Sequence, residues 1–315
     1  MSNNKEAYLC ISAMLRAREP RLLNNEKAER MLDAASYEDA AKLLTDCGYP
    51  DMSQMDSKEL DEALSKHRDE IFEDLGRFSP DGRLIDVFKL KYDYHNAKVI
   101  IKSEAMEMDG KHLLSNSGRI PGLKLMELFN EDKRVMLPET LGEAMSEAKA
   151  VLARTGNPQL SDFVLDKAYF SELQKAAQDL DSGFLRGYAS ILIDSSNLRS
   201  TVRTLRMGKG QEFLSQVLVP GGGVGLERLS AVSDKESLAA LYTHTGLEKA
   251  AQLGGEALND GSMTAFELAC DNAVTAYLKD AKLVSYGVAP VLAYMAAIEG
   301  EITAIRMILT GGLPA

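Results

Sequence analysis

Apolar residues recur every three to four positions along almost the whole chain, and no run alternates with the two-residue period of a half-buried strand. That pattern directs the 315 residues to an all-α fold. Composition agrees: there is no Trp, and the abundant Ala, Leu, Met, Glu and Lys are good helix formers. With 45% apolar and 26% charged residues, the chain reads as a packed globular protein.

One helical skeleton appears three times, as YDYHNAKVII from Tyr92, IDSSNLRSTV from Ile193 and GEITAIRMIL from Gly300. In each, an acid is followed five residues later by a base: Asp93 and Lys98, Asp194 and Arg199, Glu301 and Arg306. The first two add an Asn three residues after the acid, Asn96 and Asn197, where the third has Ala304. Two further echoes accompany them. RMLDAASYEDAAKLLTDCG from Arg30 matches RLSAVSDKESLAALYTHTG from Arg228, and FVLDKAYFSELQ from Phe163 matches FELACDNAVTAYL from Phe266. The economical expectation is a helical unit of about 105 residues used three times. Its boundaries fall at 1–115, 116–210 and 211–315, three similar helical domains that a threefold arrangement would let partner one another by rotation.

The repeated acid sits on an apolar stripe. Three residues before it stand Leu90, Ile191 or Ile298; four after it, Ala97, Leu198 or Ile305; eight after it, Ile101, Val202 or Leu309. The base is rotated by about 140° from the acid, so the two do not pair within their own helix. An acid on such a stripe needs a donor from elsewhere. Asp93, Asn96, Lys98, Asp194, Asn197, Arg199, Glu301 and Arg306 are therefore expected to be structural polar positions, partnered between helices or between repeats.

Punctuation marks further elements. Pro20 should end or bend an opening helix, Ser36 should cap a short helix that stops at Gly48, and Pro138 should stand near a helix start. The Gly-, Ser- and Asn-rich stretch from Asp109 to Pro121 is the expected linker, and VPGGGVGLERL an expected turn into a helix.

Several function classes are disfavoured. A net charge of −11 opposes nucleic-acid binding through a basic surface. The Gly run PGGGVGLERL has neither the phosphate-loop nor the dinucleotide spacing. His67, His95, His112 and His244 lie in separate segments without ligand spacing, so no metal or cofactor is expected. No nucleophile signature appears, and no catalytic residue is assigned. The opening MSNNKEAYLC lacks the apolar core of a signal peptide, and runs such as GVAPVLAYMAAI fall short of the ~20 residues of a membrane span. Cys10, Cys47 and Cys270 are odd in number and scattered, as for reduced thiols in the cytosol.

The order of segments carries a family resemblance. YLCISAMLRAREPRLL, ERMLDAASYEDAAKLLTDCGY and LKYDYHNAKVIIKS resemble the N-terminal third of the C subunit of V-type (archaeal and bacterial A/V-type) ATPases and ATP synthases. YASILIDSSNLRSTVRTLRMGKG with FLSQVLVPGGGVGLERL resembles its middle, and YGVAPVLAYMAAIEGEITAIRMILTGGLPA its C-terminal part. The eukaryotic counterpart is the d subunit. The resemblance implies an all-helical funnel of three similar domains around a pseudo-threefold axis, and a non-catalytic rotor component of the central stalk. It implies that the D and F proteins of the shaft and the membrane proteolipid ring are partners, with one copy per complex, monomeric when alone. It implies a place on the cytoplasmic face of the membrane, where ATP turnover is linked to H+ or Na+ movement, and no nucleotide site. Two departures stand out: Ala304 in place of Asn, and an ending at GGLPA where the family is expected to continue into a short helix. The competing expectation is a helical-repeat adaptor for protein partners; such arrays have periods of about 34 or 40 residues, far below the spacing here. A helical enzyme would instead gather two or more acids with raised pKa values in one cavity.

Overall fold

The computed structural model describes residues 5–311; the expectations attached to the first four residues and to the chain's ending lie outside them. Among the described residues there is no β-strand. In chain order the helices are α1 (Leu9–Arg18), α2 (Asn25–Leu32), α3 (Tyr37–Lys42), α4 (Ser57–Phe78), α5 (Arg83–Ala105), α6 (Gly122–Asn130), α7 (Glu139–Thr155), α8 (Pro158–Asp179), α9 (Gly183–Arg206), α10 (Gln211–Val217), α11 (Leu226–Ser230), α12 (Lys235–Leu241), α13 (Glu248–Ala257), α14 (Met263–Lys279) and α15 (Val288–Thr310). The fold is all-α.

Local chemistry sets the ends of these helices. Helix α1 gives way after Arg18 to a 3-10 turn, Glu19–Arg21, that holds Pro20. The Ser36 side chain accepts the Asp39 N–H at the start of α3, and Gly48 takes a left-handed φ of 90° where that segment stops. Asp56 and Glu59 form a reciprocal capping box at the start of α4. Helix α7 starts directly after Pro138. Two of the short helices are α6 and α10. Segments of this length hold their shape mainly through burial, here of Leu125, Leu128 and Phe129 in α6 and Leu214 and Val217 in α10.

The chain divides into two compact units. One joins residues up to Ile85 with those from Ala281 onward; the other is Asp86–Asp280. The first is built on α15, whose buried residues Val291, Met295, Ile298, Ile302, Ile305 and Leu309 face α1, α2, α3 and α4. By length and composition α15 could cross a membrane, contrary to the expectation from its apolar runs, which are broken by Glu299 and Glu301. Its apolar side is instead spent on the core of this unit, and Glu301 lies buried in the middle of it. The second unit holds two apolar clusters. One gathers Tyr94, Ile101, Leu125, Leu141, Met145 and Leu165. The other gathers Leu198, Val202, Leu229, Tyr242 and Phe266.

The expected linker is no free tether. Ser117 is buried, and Gly122 has no room for a side chain: a Cβ there would stand 2.7 Å from Leu114 and 2.9 Å from the Ser115 carbonyl. The residues that pin this segment belong to the repeated skeleton.

Candidate functional site

Each of the three acids grips the backbone of a loop that leads into a short helix. Asp93 is fully buried on α5 and accepts the Ile120 N–H at 3.3 Å. Asp194 on α9 accepts the Val224 N–H at 3.1 Å and the Gly223 N–H at 2.8 Å. Glu301 on α15 accepts the Leu23 N–H at 2.6 Å. Ile120, Val224 and Leu23 occupy one and the same place, the residue immediately before the N-cap: Pro121 of α6, Gly225 of α11 and Asn24 of α2. A carboxylate at that point satisfies an N–H that the helix start leaves open and lies near the positive end of the helix.

The two asparagines clamp the same loops further back. Asn96 accepts the Ser115 N–H and donates to the Ser115 carbonyl, both at 2.8 Å. Asn197 does the same with Val219, again at 2.8 Å twice. Ser115 and Val219 each lie five residues before the N–H that their acid binds. Counting back equally from Leu23 reaches Arg18, the last residue of α1. Its backbone is already helical and offers no open pair to clamp, which accounts for Ala304 in the third copy.

The bases leave by another direction and pair with a different helix. Lys98 meets Asp166 of α8 at 2.6 Å, and Lys102, one turn on, meets Asp162 at 2.6 Å. Arg199 bridges Glu267 at 2.5 Å and Asp271 at 2.6 Å on α14. Arg306 meets Asp61 of α4 at 2.6 Å. No acid of the skeleton touches the base of its own helix, and no two of the acids share a partner.

The surroundings of each carboxylate differ. Burial pushes the Asp93 carboxyl up, opposed by Arg119, whose Nε donates to it at 2.5 Å while its other arm holds Glu172 at 2.9 Å. Burial pushes Glu301 up, opposed by the Tyr49 hydroxyl, which donates to it at 2.6 Å. The Tyr49 phenol is itself raised, first by burial and then by the neighbouring Glu301, and its ring lies 4.1 Å from that of His67. Asp194 is also raised by burial, opposed only by the two backbone N–H groups. Three raised carboxyls are thus present, but each is taken up by donors already in place: loop N–H groups at all three, with Arg119 at Asp93 and the Tyr49 hydroxyl at Glu301. The arrangement holds chain segments in place; it does not bring two acids to one reacting centre.

Arg119, Glu172, Tyr49 and the acids that meet the bases do not stand out in the sequence. A signal for some of them is nonetheless there. Lys98 and Asp166 stand 68 residues apart, and so do Arg199 and Glu267.

Comparison with known proteins runs the length of the chain. The sequence profile of the ATP synthase (C/AC39) subunit family matches residues 11–313. The C subunit of the V-type sodium ATPase of Enterococcus hirae is 22% identical over 308 residues, covering 96% of this chain and 93% of the relative. The C subunit of the A-type ATP synthase of Methanocaldococcus jannaschii is 24% identical over 331 aligned positions, covering 96% and 82%. The C subunit of the V-type ATP synthase of Thermus thermophilus is 25% identical over 247 residues, covering 71% and 74%.

Proposed function

The chain belongs to the ATP synthase (C/AC39) subunit family, a component of V/A-type rotary ATPases, and from that premise we propose that it is the non-catalytic part of the central stalk that couples the D/F shaft to the proteolipid ring. In this role it is peripheral to the membrane, on the cytoplasmic side, and transmits rotation between ATP turnover and the movement of H+ or Na+.

The observation that carries the proposal is the order in which the clamps are made. A part that passes torque needs segments locked to one another rather than a pocket that opens and closes. Here the first two acid helices each hold the loop that follows and pair their base with a later long helix. The third acid helix has no following segment of that kind among the described residues, and it holds the start of the chain instead. Arg306 and Asp61 are 245 residues apart. This order of pairings supports the reading of three repeats, 1–115, 116–210 and 211–315, that each lend an acid helix to another.

The test is assembly. Purified protein mixed with detergent-solubilised ring and with the D/F pair should sediment as one complex containing all three, and should not hydrolyse ATP by itself. Failure to associate with either the shaft or the ring would overturn the proposal and favour an adaptor with other protein partners.

A further inference from the structure

The three clamps differ in what stands against the carboxylate. Asp93 has the Arg119 guanidinium, and Glu301 has the Tyr49 hydroxyl. Asp194 has backbone N–H groups alone, and no side-chain donor reaches it among the described residues. The first two loops superimpose in sequence register. Arg119 directly precedes Ile120, and Gly223 directly precedes Val224. One residue earlier, Gly118 and Gly222 both pass so close to the carboxylate that a Cβ would stand 2.3 Å from Asp93 Oδ1 and 2.1 Å from Asp194 Oδ1. Gly223 thus occupies the position of Arg119 and leaves open the space that its guanidinium fills.

That space is accessible. Asp93 is fully buried, Asp194 is partly exposed, and Gly223 is exposed. A cleft beside the loop is lined by Gln174, Gln178, Ser190, Gly221 and Arg186, the last held by Asp181 at 3.3 Å. A carboxylate has about four lone-pair positions, of which two are used here. The remaining two suit a planar guanidinium that donates from two nitrogens.

We propose that Asp194 is a docking point for an arginine presented by a protein partner, entering the place that Arg119 fills in the first clamp. It rests on the reading that the chain works within a V/A-type complex. The protein's net charge of −11 suits a basic partner.

The test compares wild type, D194N and G223R for binding to the D/F pair and to the detergent-solubilised ring. G223R supplies the missing guanidinium from within. Its backbone is outside the left-handed region, and a Cβ at 223 would lie 3.1 Å from Asp194 Oδ2 and 3.7 Å from Ser190 Oγ, so a small shift of the carboxylate admits it. The expected result is that D194N and G223R each weaken binding to one of the two partners at least tenfold. G223R free in solution should unfold at or above the wild-type temperature. Binding by wild type with affinity retained in either D194N or G223R overturns the docking point and leaves the coupling role standing. Failure of wild type to bind shaft and ring overturns the coupling role and this inference together.

Discussion

Asp194 shows how one residue's surroundings fix its response to pH. Burial raises its carboxyl above the ordinary aspartate value against the pull of the Val224 and Gly223 N–H groups. A folded-state pKa above the unfolded one means that the folded protein holds the proton to higher pH. The stability carried by the protonated form is complete below the unfolded value of about 4 and is lost as pH rises through the folded one. D194N has no such proton, so its urea midpoint should decline less between pH 4 and the folded value than that of wild type. Equal slopes in the two proteins would show that Asp194 is not desolvated. The asparagines give a sharper expectation. Asn197→Ala leaves the Val219 N–H and carbonyl buried without partners, which should cost about 2–4 kcal/mol of unfolding free energy. Ala304 performs no such clamp, and Ala304→Ser should stay within about 0.5 kcal/mol, since substitutions away from special contacts have small effects.

At the scale of elements, the loops before α6 and α11 are shaped by the acid helices that grip them. Gly222→Ala drives a Cβ to 2.1 Å from the Asp194 carboxylate and should destabilise by about 1–3 kcal/mol, the range of overpacked sites. Gly300→Ala, in the interior of α15 with open space around it, should stabilise by about 0.5–1 kcal/mol through helix propensity. Denaturant titration of the two variants reads both signs. The sequence displays much of this. Long helices such as α4 and α9 announce themselves by periodicity, because propensity and patterning agree there. The acids are visible as interruptions of an apolar stripe repeated at near-equal intervals. Their partners are not. Arg119 and Tyr49 act across 26 and 252 residues, and local pattern holds no information on which distant loop arrives at a given face. The segment before Pro121 looks like a linker for the same reason: Gly and Ser there serve close approach to Asp93 and Asn96, a demand that composition alone does not separate from flexibility.

At the scale of the whole molecule, the third clamp has a task the other two lack, because it joins segments far apart in sequence, the loop before α2 and helix α15. Leu23, Tyr49 and Asp61 meet Glu301 and Arg306 inside one compact unit, so that unit exists only while both parts of the chain are held together. Closing such a contact carries the entropy of a very long loop, which grows only slowly with length, and a few strong contacts suffice to sustain it. Glu301→Ala removes the acceptor for a buried phenol and a backbone N–H at once. The expected outcome in native-state hydrogen exchange is faster exchange of amides in residues 5–85 and 281–311, with those of 86–280 unchanged, because local opening follows cooperative units. Uniform acceleration across both units would mean that they unfold as one body. Acceleration limited to Leu23 and its neighbours would mean that α15 is held by its apolar face alone, with Glu301 only aligning the loop. The expected pattern would show that the unit formed from residues up to 85 and from 281 onward opens independently of residues 86–280.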